Sequence, residues 1–164
     1  LPAILIGLLL SKPIEAGAAP PLVSFGEPAT IRLIESLIRV LHPGFPLFHH
    51  LVMHPVLVAG WVGLFITSLN LIPAGQLDGG HILYAISPRI HRYSTYAVIG
   101  ILLILGAMLW LGWLLWGAFL LLPAMQHPKV SLEPELNKRR LMLGGAGLLI
   151  LVLTLLPAPL TIVR

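Results

Sequence analysis

The stretch Asn70–His81, NLIPAGQLDGGH, places a proline, three glycines and a carboxylate inside a long apolar part of the chain. Between residues 40 and 88, Asp78 is the only residue among Asp, Glu, Lys and Arg. A carboxylate at bilayer depth costs about 2.5–3.5 kcal/mol on insertion scales. Its presence in such a segment therefore indicates a functional site.

Composition predicts a membrane protein. Of the 164 residues, 57% are hydrophobic and 10% are charged, whereas soluble domains carry about 25% charged residues. Apart from Asp78, three tracts lack charged residues, and each exceeds the ~20 residues of a spanning helix; they are residues 40–88, 93–128 and 141–163. The ten Lys and Arg lie mostly in the polar connections, as the positive-inside rule expects. We therefore expect a lipid bilayer as partner and no nucleic acid.

The expected fold class is all-α, a polytopic transmembrane helical bundle forming a single transmembrane domain over residues 1–164. Leu51–Ile72 and Leu141–Pro157 are two of the expected spans, and the glycines within them suggest close helix packing. These glycines are Gly60, Gly63, Gly144, Gly145 and Gly147.

A broken helix is expected at the Asp-Gly-Gly motif. Pro73 and Gly75 prevent regular helix over residues 71–75, and a new helix is expected from about Leu77 to about Ile86. Broken backbone at membrane depth is tolerated only where protein or a water-filled cavity covers it. The break therefore marks the candidate site.

Ser94–Leu122 is too long for one span. Its 29 residues would extend about 44 Å as a straight helix, against a hydrocarbon core of about 30 Å. A turn near Trp110–Trp113 would give two short passes with basic connections on the same side. A single kinked, tilted helix is the alternative.

Residues 11–50 form the most polar region, expected to be a loop that contains a short amphipathic helix. Its apolar side chains recur at helical spacing, with Arg32, Glu35 and Arg39 on the other side. The apolar residues are Ile31, Ile34, Leu37, Ile38 and Leu41. Such a helix either lies on the membrane surface or packs as a loop helix without lipid contact.

The first residues resemble the end of an apolar helix more than its beginning. Only ten residues precede Ser11 and Lys12, and they contain neither an initiator Met nor a basic leader. We therefore expect the chain to continue a longer protein.

The Asp78 charge could be compensated by a buried cation, by protonation or by a metal ion. No Lys or Arg lies within ten positions on either side of Asp78, and the chain has no cysteine. A carboxylate beside imidazoles is a standard zinc ligand set, so zinc is the favoured explanation. Gly79 and Gly80 would let another backbone approach closely.

The motif also carries a family resemblance. Asn70-Leu71-Ile72-Pro73, followed after three residues by Leu77-Asp78-Gly79-Gly80-His81, resembles the second signature of the site-2 protease family, zinc metalloproteases that cut substrates within the membrane. The preceding HPVLVAGWVGLFITSLN, the later QHP and the terminal LPAP are similar to bacterial and plastid-type members. The resemblance runs from about His54 and implies a multi-pass protein of a bacterial inner membrane or plastid-type membrane.

The resemblance implies roles for two residues. Asp78 would be a zinc ligand, and Asn70 would hold the backbone of a transmembrane protein substrate near the Zn²⁺ ion. The family's first signature, His-Glu-x-x-His, supplies the other ligands and the general base, and this sequence does not contain it. The expectation is a zinc-dependent intramembrane endopeptidase whose catalytic base lies upstream, with no catalytic residue in this chain.

His50 and His54 have the spacing of a zincin helix, but Leu51 stands where the catalytic Glu should be. We favour an interfacial position over a degenerate metal site. His81 would either hydrogen-bond near the site or pack between helices. Gln76 would either line the site or be a satisfied buried amide, and we favour the buried amide. His42, His91 and His127 are expected in solvated connections, and the four tryptophans as interface anchors or packing residues.

Two other functions are open. A family member without catalysis would serve as a membrane scaffold or binding protein, and its upstream signature would be degraded. A transporter would also place a carboxylate on a broken helix, but a second interrupted segment is not evident in this sequence.

Overall fold

A computed structural model describes residues 1–15, 23–125 and 138–162. The described chain is mostly helical, in agreement with the helical part of the expected fold class. It forms two compact units, Leu1–Thr67 with Leu153–Arg164, and Ser68–Val152.

The first unit combines helices with two small antiparallel sheets. Its helices are α1 (Pro2–Leu10), α2 (Ala29–Leu41), a 3-10 turn at Phe48–His50 and most of α3 (Pro55–Asn70). Its strands are β1 (Lys12–Pro13), β2 (Val23–Phe25), β3 (Leu51–Val52) and β4 (Leu160–Ile162). β1 pairs with β3, with Lys12 opposite Val52, and β2 pairs with β4, with Ser24 opposite Thr161.

The core of this unit lies where α1 and α2 meet α3. Gly7 of α1 lies against the backbone of Leu57, and Gly60 of α3 lies against Ile4, so the two helices pack closely and antiparallel. Gly63 has no neighbour within 4 Å, so only one of the two glycines expected to form a packing face does so. The buried apolar residues are Ile4, Leu8, Ile31, Ile38, Phe48, Leu51, Leu57, Trp61 and Leu156.

The predicted amphipathic helix is present as α2, but its buried face differs from the prediction. Ile31 and Ile38 are buried, whereas Leu37 and Leu41 are exposed by 69% and 78%. The core covers only one side of α2, and that side includes Glu35, which is 5% exposed. The prediction of Glu35 on the polar side is therefore wrong.

Glu35 is buried because its carboxylate has partners. Its Oε2 accepts a hydrogen bond from the backbone N–H of Phe48 at 3.3 Å. Its Oε1 lies 3.8 Å from a guanidinium nitrogen of Arg39, one helical turn later. A buried charge with a hydrogen bond and a counter-ion avoids most of the cost of desolvation.

The second unit begins with the end of α3 and contains α4 (Asp78–Ile86), α5 (Pro88–Met108), α6 (Gly112–Leu121), a 3-10 turn at Pro123–Met125 and most of α7 (Lys138–Thr154). Gly144 and Gly147 of α7 lie near Ile82 of α4, as small residues at a helix contact do. Gly145 has no neighbour within 4 Å.

α5 and α6 form an antiparallel hairpin. Gly106 lies against Leu114, and Gly117 lies near Leu103. The chain turns over residues 109–111, where the backbone N–H of Trp113 bonds to the carbonyl of Trp110 at 3.0 Å. The predicted turn near residues 110–113 is confirmed, and the alternative of one continuous helix is wrong.

The helices differ in length from the predicted spans. α3 begins at Pro55 instead of Leu51, because residues 51–52 pair with β1, and α7 ends at Thr154 before Pro157. α6 has 10 residues, about 15 Å of helix, which is half of a ~30 Å hydrocarbon core. By length and composition, α5 is the one helix among the described residues that is suited to crossing a membrane.

Candidate metal site and substrate-binding turn

The NLIPAGQLDGGH motif forms a turn between two helices. α3 ends at Asn70 and α4 begins at Asp78, close to the predicted start and end of the second helix. Short-range backbone hydrogen bonds replace the helical pattern between them, including Ala74 N–H to the Ile72 carbonyl at 2.8 Å. Gly75 adopts a φ of +55°, which favours glycine.

The two glycines after Asp78 bring the first turn of α4 against this chain reversal. A Cβ at Gly79 would collide with the carbonyl oxygen of Leu71, and a Cβ at Gly80 would collide with that of Gly75. Asn70 and Asp78 are the residues that directly precede Leu71 and Gly79 in the chain, so this contact joins the backbone segments that follow the two predicted site residues.

Both predicted site side chains are exposed on this unit. Asn70 is the last residue of α3, and Asp78 lies in the first turn of α4, where an acidic side chain is favourably placed relative to the helix dipole. Among the described residues, no hydrogen bond or ion pair involves the Asp78 carboxylate. His81 and Gln76 are also exposed, so the prediction of a buried Gln76 is wrong.

The donor chemistry at this position fits a zinc ligand. An accessible carboxylate oxygen is one of the usual zinc ligands, beside imidazole nitrogen and thiolate sulfur. Within residues 1–15, 23–125 and 138–162, no group of three or more His, Cys, Asp or Glu is placed to hold a metal ion. Asp78 is therefore one candidate ligand.

Three side chains of α5 contact the turn. The Ser94 hydroxyl donates to the carbonyl of Pro73 at 2.7 Å, and the Thr95 hydroxyl accepts from the N–H of Gly75 at 3.2 Å. Nε2 of His91 lies 2.9 Å from the Gly75 carbonyl. His91 is 6% exposed, so its expected place in a solvated connection is wrong.

The contacts of α5 with the turn were not predicted from the sequence, although the spacing of the three polar residues could have indicated them. Residues 91, 94 and 95 have the i, i+3, i+4 spacing that places side chains on one helix face. They are polar residues at the start of a helix that is otherwise apolar. A cavity of about 520 Å³ adjoins them and is lined by residues that include Gly75, Tyr84, Arg92, Tyr96, Ile99 and Leu120.

The His50–His54 pair does not lie on a helix. His50 ends the 3-10 turn, and the extended strand β3 separates it from His54. Nδ1 of His54 instead accepts a hydrogen bond from the N–H of Val56 at 3.3 Å, in the first turn of α3. The shared helix face that a zincin-like pair requires is therefore missing here.

Two tryptophans expected at interfaces or in packing are buried. Trp61 is 3% exposed and donates from Nε1 to the Gly26 carbonyl at 2.7 Å. Trp113 is 1% exposed and packs edge-on to Trp110. Both have packing roles. His42 is exposed at the end of α2, whereas His127 lies outside the described residues.

Comparisons with known proteins show that this turn lies within the part of the chain that matches a protease family. The model of peptidase family M50 matches residues 23–112. The Arabidopsis thaliana protein named "Probable zinc metalloprotease EGY1, chloroplastic" is 32% identical over 161 residues, covering 93% of this chain and 28% of the relative. Its namesake from Oryza sativa subsp. japonica is 35% identical over 80 residues, 48% of this chain and 14% of the relative.

A shorter match is to "Probable zinc metalloprotease EGY2, chloroplastic" of Arabidopsis thaliana, 47% identical over 34 residues, 21% of this chain and 6% of the relative. The chain thus spans less than a third of these relatives. No solved structure matches it. The family match covers more than half of the chain and includes the whole turn from Asn70 to His81, so the chain belongs to peptidase family M50, the site-2 protease family.

Proposed function

We propose that this chain is part of a zinc-dependent intramembrane endopeptidase, to which it contributes a metal ligand and a substrate-binding residue. The observation that carries the proposal is the turn itself. It connects the end of α3, at Asn70, to the start of α4, at Asp78, inside the region that matches the peptidase family. Both side chains are accessible, as a ligand and a substrate contact must be.

Asp78 would coordinate Zn²⁺ through its carboxylate. The remaining ligands and the general base would come from a His-Glu-x-x-His helix, which the family resemblance places upstream. When bound, zinc supplies Lewis-acid polarisation of the scissile carbonyl and lowers the pKa of a water molecule. The chain's own contribution would be the Asp78 carboxylate at the start of α4.

Asn70 would hold the substrate. Its side-chain amide can donate to a backbone carbonyl and accept from a backbone N–H, which matches the needs of an extended peptide. A transmembrane segment must unwind before its backbone can reach a metal centre, and unwinding leaves backbone groups without partners. Asn70 would satisfy one of them and so orient the substrate without touching the metal.

We further propose that the protein is an integral, multi-pass membrane protein in contact with lipid. The apolar helices α3, α5, α6 and α7 support this proposal, as does the exposure of large apolar side chains such as Ile104 and Leu115. The names of the relatives place them in chloroplasts. A plastid-type or bacterial inner membrane is the proposed location.

The test is Asp78→Ala in the full-length protein. We expect bound zinc and cleavage of a single-span substrate to fall together, while membrane insertion is retained because a costly charge has been removed. Ser36→Ala is a suitable control, because Ser36 is exposed and its hydroxyl bonds only within α2. Retained cleavage by the Asp78 variant would rule out the ligand assignment. Zinc binding without cleavage in the unmodified protein would favour the scaffold function.

A further inference from the structure

The turn before Asp78 contains backbone N–H and carbonyl groups that form no hydrogen bonds with other residues of the turn. Proline and glycine interrupt the helical hydrogen bonds between Asn70 and Asp78. The carbonyls of Pro73 and Gly75 and the N–H of Gly75 bond instead to side chains of α5. Such groups cost several kcal/mol each if they lie unpaired in an apolar environment, so their partners matter for the turn.

The chemistry of the three partners is complementary and specific. The Gly75 carbonyl can only accept, so Nε2 of His91 carries the proton in their 2.9 Å contact. The Thr95 hydroxyl donates to the His91 carbonyl at 2.9 Å, which leaves its lone pair to accept from the Gly75 N–H. The hydroxyl proton of Ser94 goes to the Pro73 carbonyl.

The surroundings of His91 fix it further. The ring is buried, and the ring of Tyr84 from α4 packs edge-on against it with centroids 5.4 Å apart. A buried, packed imidazole has few alternative rotamers. The hydrogen bond to Gly75 is therefore made by a side chain that is itself held in place.

The opposite side of the turn is held by α4. Gly80 lies against the carbonyls of Ala74 and Gly75, and only a residue without a Cβ fits there. Gly75 is thus fixed between α4 and α5. Asp78 follows Gly75 by three positions, and the side chain of the intervening Leu77 is 8% exposed. The backbone that leads from the turn to Asp78 is therefore anchored at Gly75 and at Leu77.

We infer that His91, Ser94 and Thr95 are positioning residues for the Asp78 carboxylate. They hold the Pro73–Gly75 turn, and through it they fix the direction in which the first turn of α4 presents Asp78. This inference rests on the proposed function of Asp78 as a zinc ligand. Partners that orient metal ligands typically contribute about 10- to 100-fold to metal affinity or activity.

The central test is Thr95→Val in the full-length protein, because valine keeps the shape and removes the hydroxyl. The matched control is Thr67→Val. The exposed Thr67 hydroxyl also donates to the carbonyl four residues earlier, that of Gly63, at 2.8 Å. We expect Thr95→Val to weaken zinc binding about 10-fold in chelator competition, and Thr67→Val to leave it unchanged. Thr95→Ser should restore the affinity.

A second measurement does not depend on zinc or on activity. In the metal-free protein, hydrogen–deuterium exchange of residues 71–78 should be faster in Thr95→Val than in Thr67→Val, with other helices unaffected. Kinetically, kcat should fall while KM changes little, because the ligand moves and the substrate contact at Asn70 remains. If Thr95→Val does not accumulate, Ser94→Ala provides the same comparison against Ser36→Ala.

The outcomes separate this inference from the proposed function. If hydrogen–deuterium exchange of residues 71–78 is faster in Thr95→Val but zinc affinity is unchanged, the positioning role is wrong. It is also wrong if the exchange of these residues is unchanged. Loss of zinc in Asp78→Ala together with wild-type behaviour of Thr95→Val would reject the positioning role alone. Retention of zinc in Asp78→Ala would reject the ligand assignment itself.

Discussion

At the scale of single residues, Asn70 and Asp78 are close in the chain but differ in chemical role. We predict that Asn70→Ala lowers turnover much more than zinc content, because an amide that contacts the substrate backbone does not bind the metal. Bound zinc and cleavage should be measured on the same preparation. A loss of zinc equal to that of Asp78→Ala would instead show that Asn70 supports the end of α3.

Gly79 gives a second prediction at this scale. A Cβ there would collide with the Leu71 carbonyl, whereas a Cβ at Gly145 meets nothing within 4 Å. We expect Gly79→Ala to destabilise the protein by about 1–3 kcal/mol, the usual cost of overpacking. Gly145→Ala should be neutral or stabilising by up to about 1 kcal/mol through helix propensity. Thermal unfolding in detergent compares them, and equal melting temperatures would contradict the tight contact.

At the scale of elements, α2 is the helix whose buried face differed most from the sequence prediction. Ile38 is 8% exposed and its neighbour Leu37 is 69% exposed. We expect Ile38→Ala to cost about 2–5 kcal/mol of stability, as large-to-small changes in a core do, and Leu37→Ala to cost little. Chemical unfolding of both variants measures this difference. A larger loss for Leu37→Ala would mean that the other face of α2 is buried.

Glu27, in the segment that leads into α2, has a carboxyl group whose pKa differs from its ordinary value. Burial raises the pKa of the Glu27 carboxyl, and the nearby charge of Glu35 and a hydrogen bond with it raise the pKa further, while Arg32 partly opposes this. Because the folded state binds the proton more tightly than the unfolded state, stability falls as pH rises from 4.5 through the raised pKa.

We predict that Glu27→Gln removes this fall, since an amide does not titrate. Melting temperatures measured from about pH 4 upward should converge for the two proteins at the acidic end and favour the variant above the raised pKa. Parallel curves over the whole range would show that Glu27 does not carry the effect.

At the scale of the whole molecule, the topology in the membrane is still a prediction. The basic residues on either side of the α5–α6 hairpin suggest that Pro88–Tyr93 and residues 123–140 face the same side. Single cysteines in place of Tyr93 and Lys138, both exposed, can be labelled with an impermeant reagent from one side at a time. Labelling from the same side is expected, and labelling from opposite sides would show that the two segments lie on opposite faces of the membrane.

The sequence alone determined the helical class, the turn at Asn70–Asp78 and the turn near residue 110, because prolines, glycines and apolar periodicity act locally. It also identified the family through the contiguous motif that ends in Asp-Gly-Gly. The burial of Glu35 and His91 was decided only by tertiary structure. A polar side chain becomes buried where a distant backbone group needs a partner, such as Phe48 N–H or the Gly75 carbonyl, and local pattern does not reveal which segments meet. For the same reason, only the packed helices showed that α5 contacts the turn that precedes Asp78.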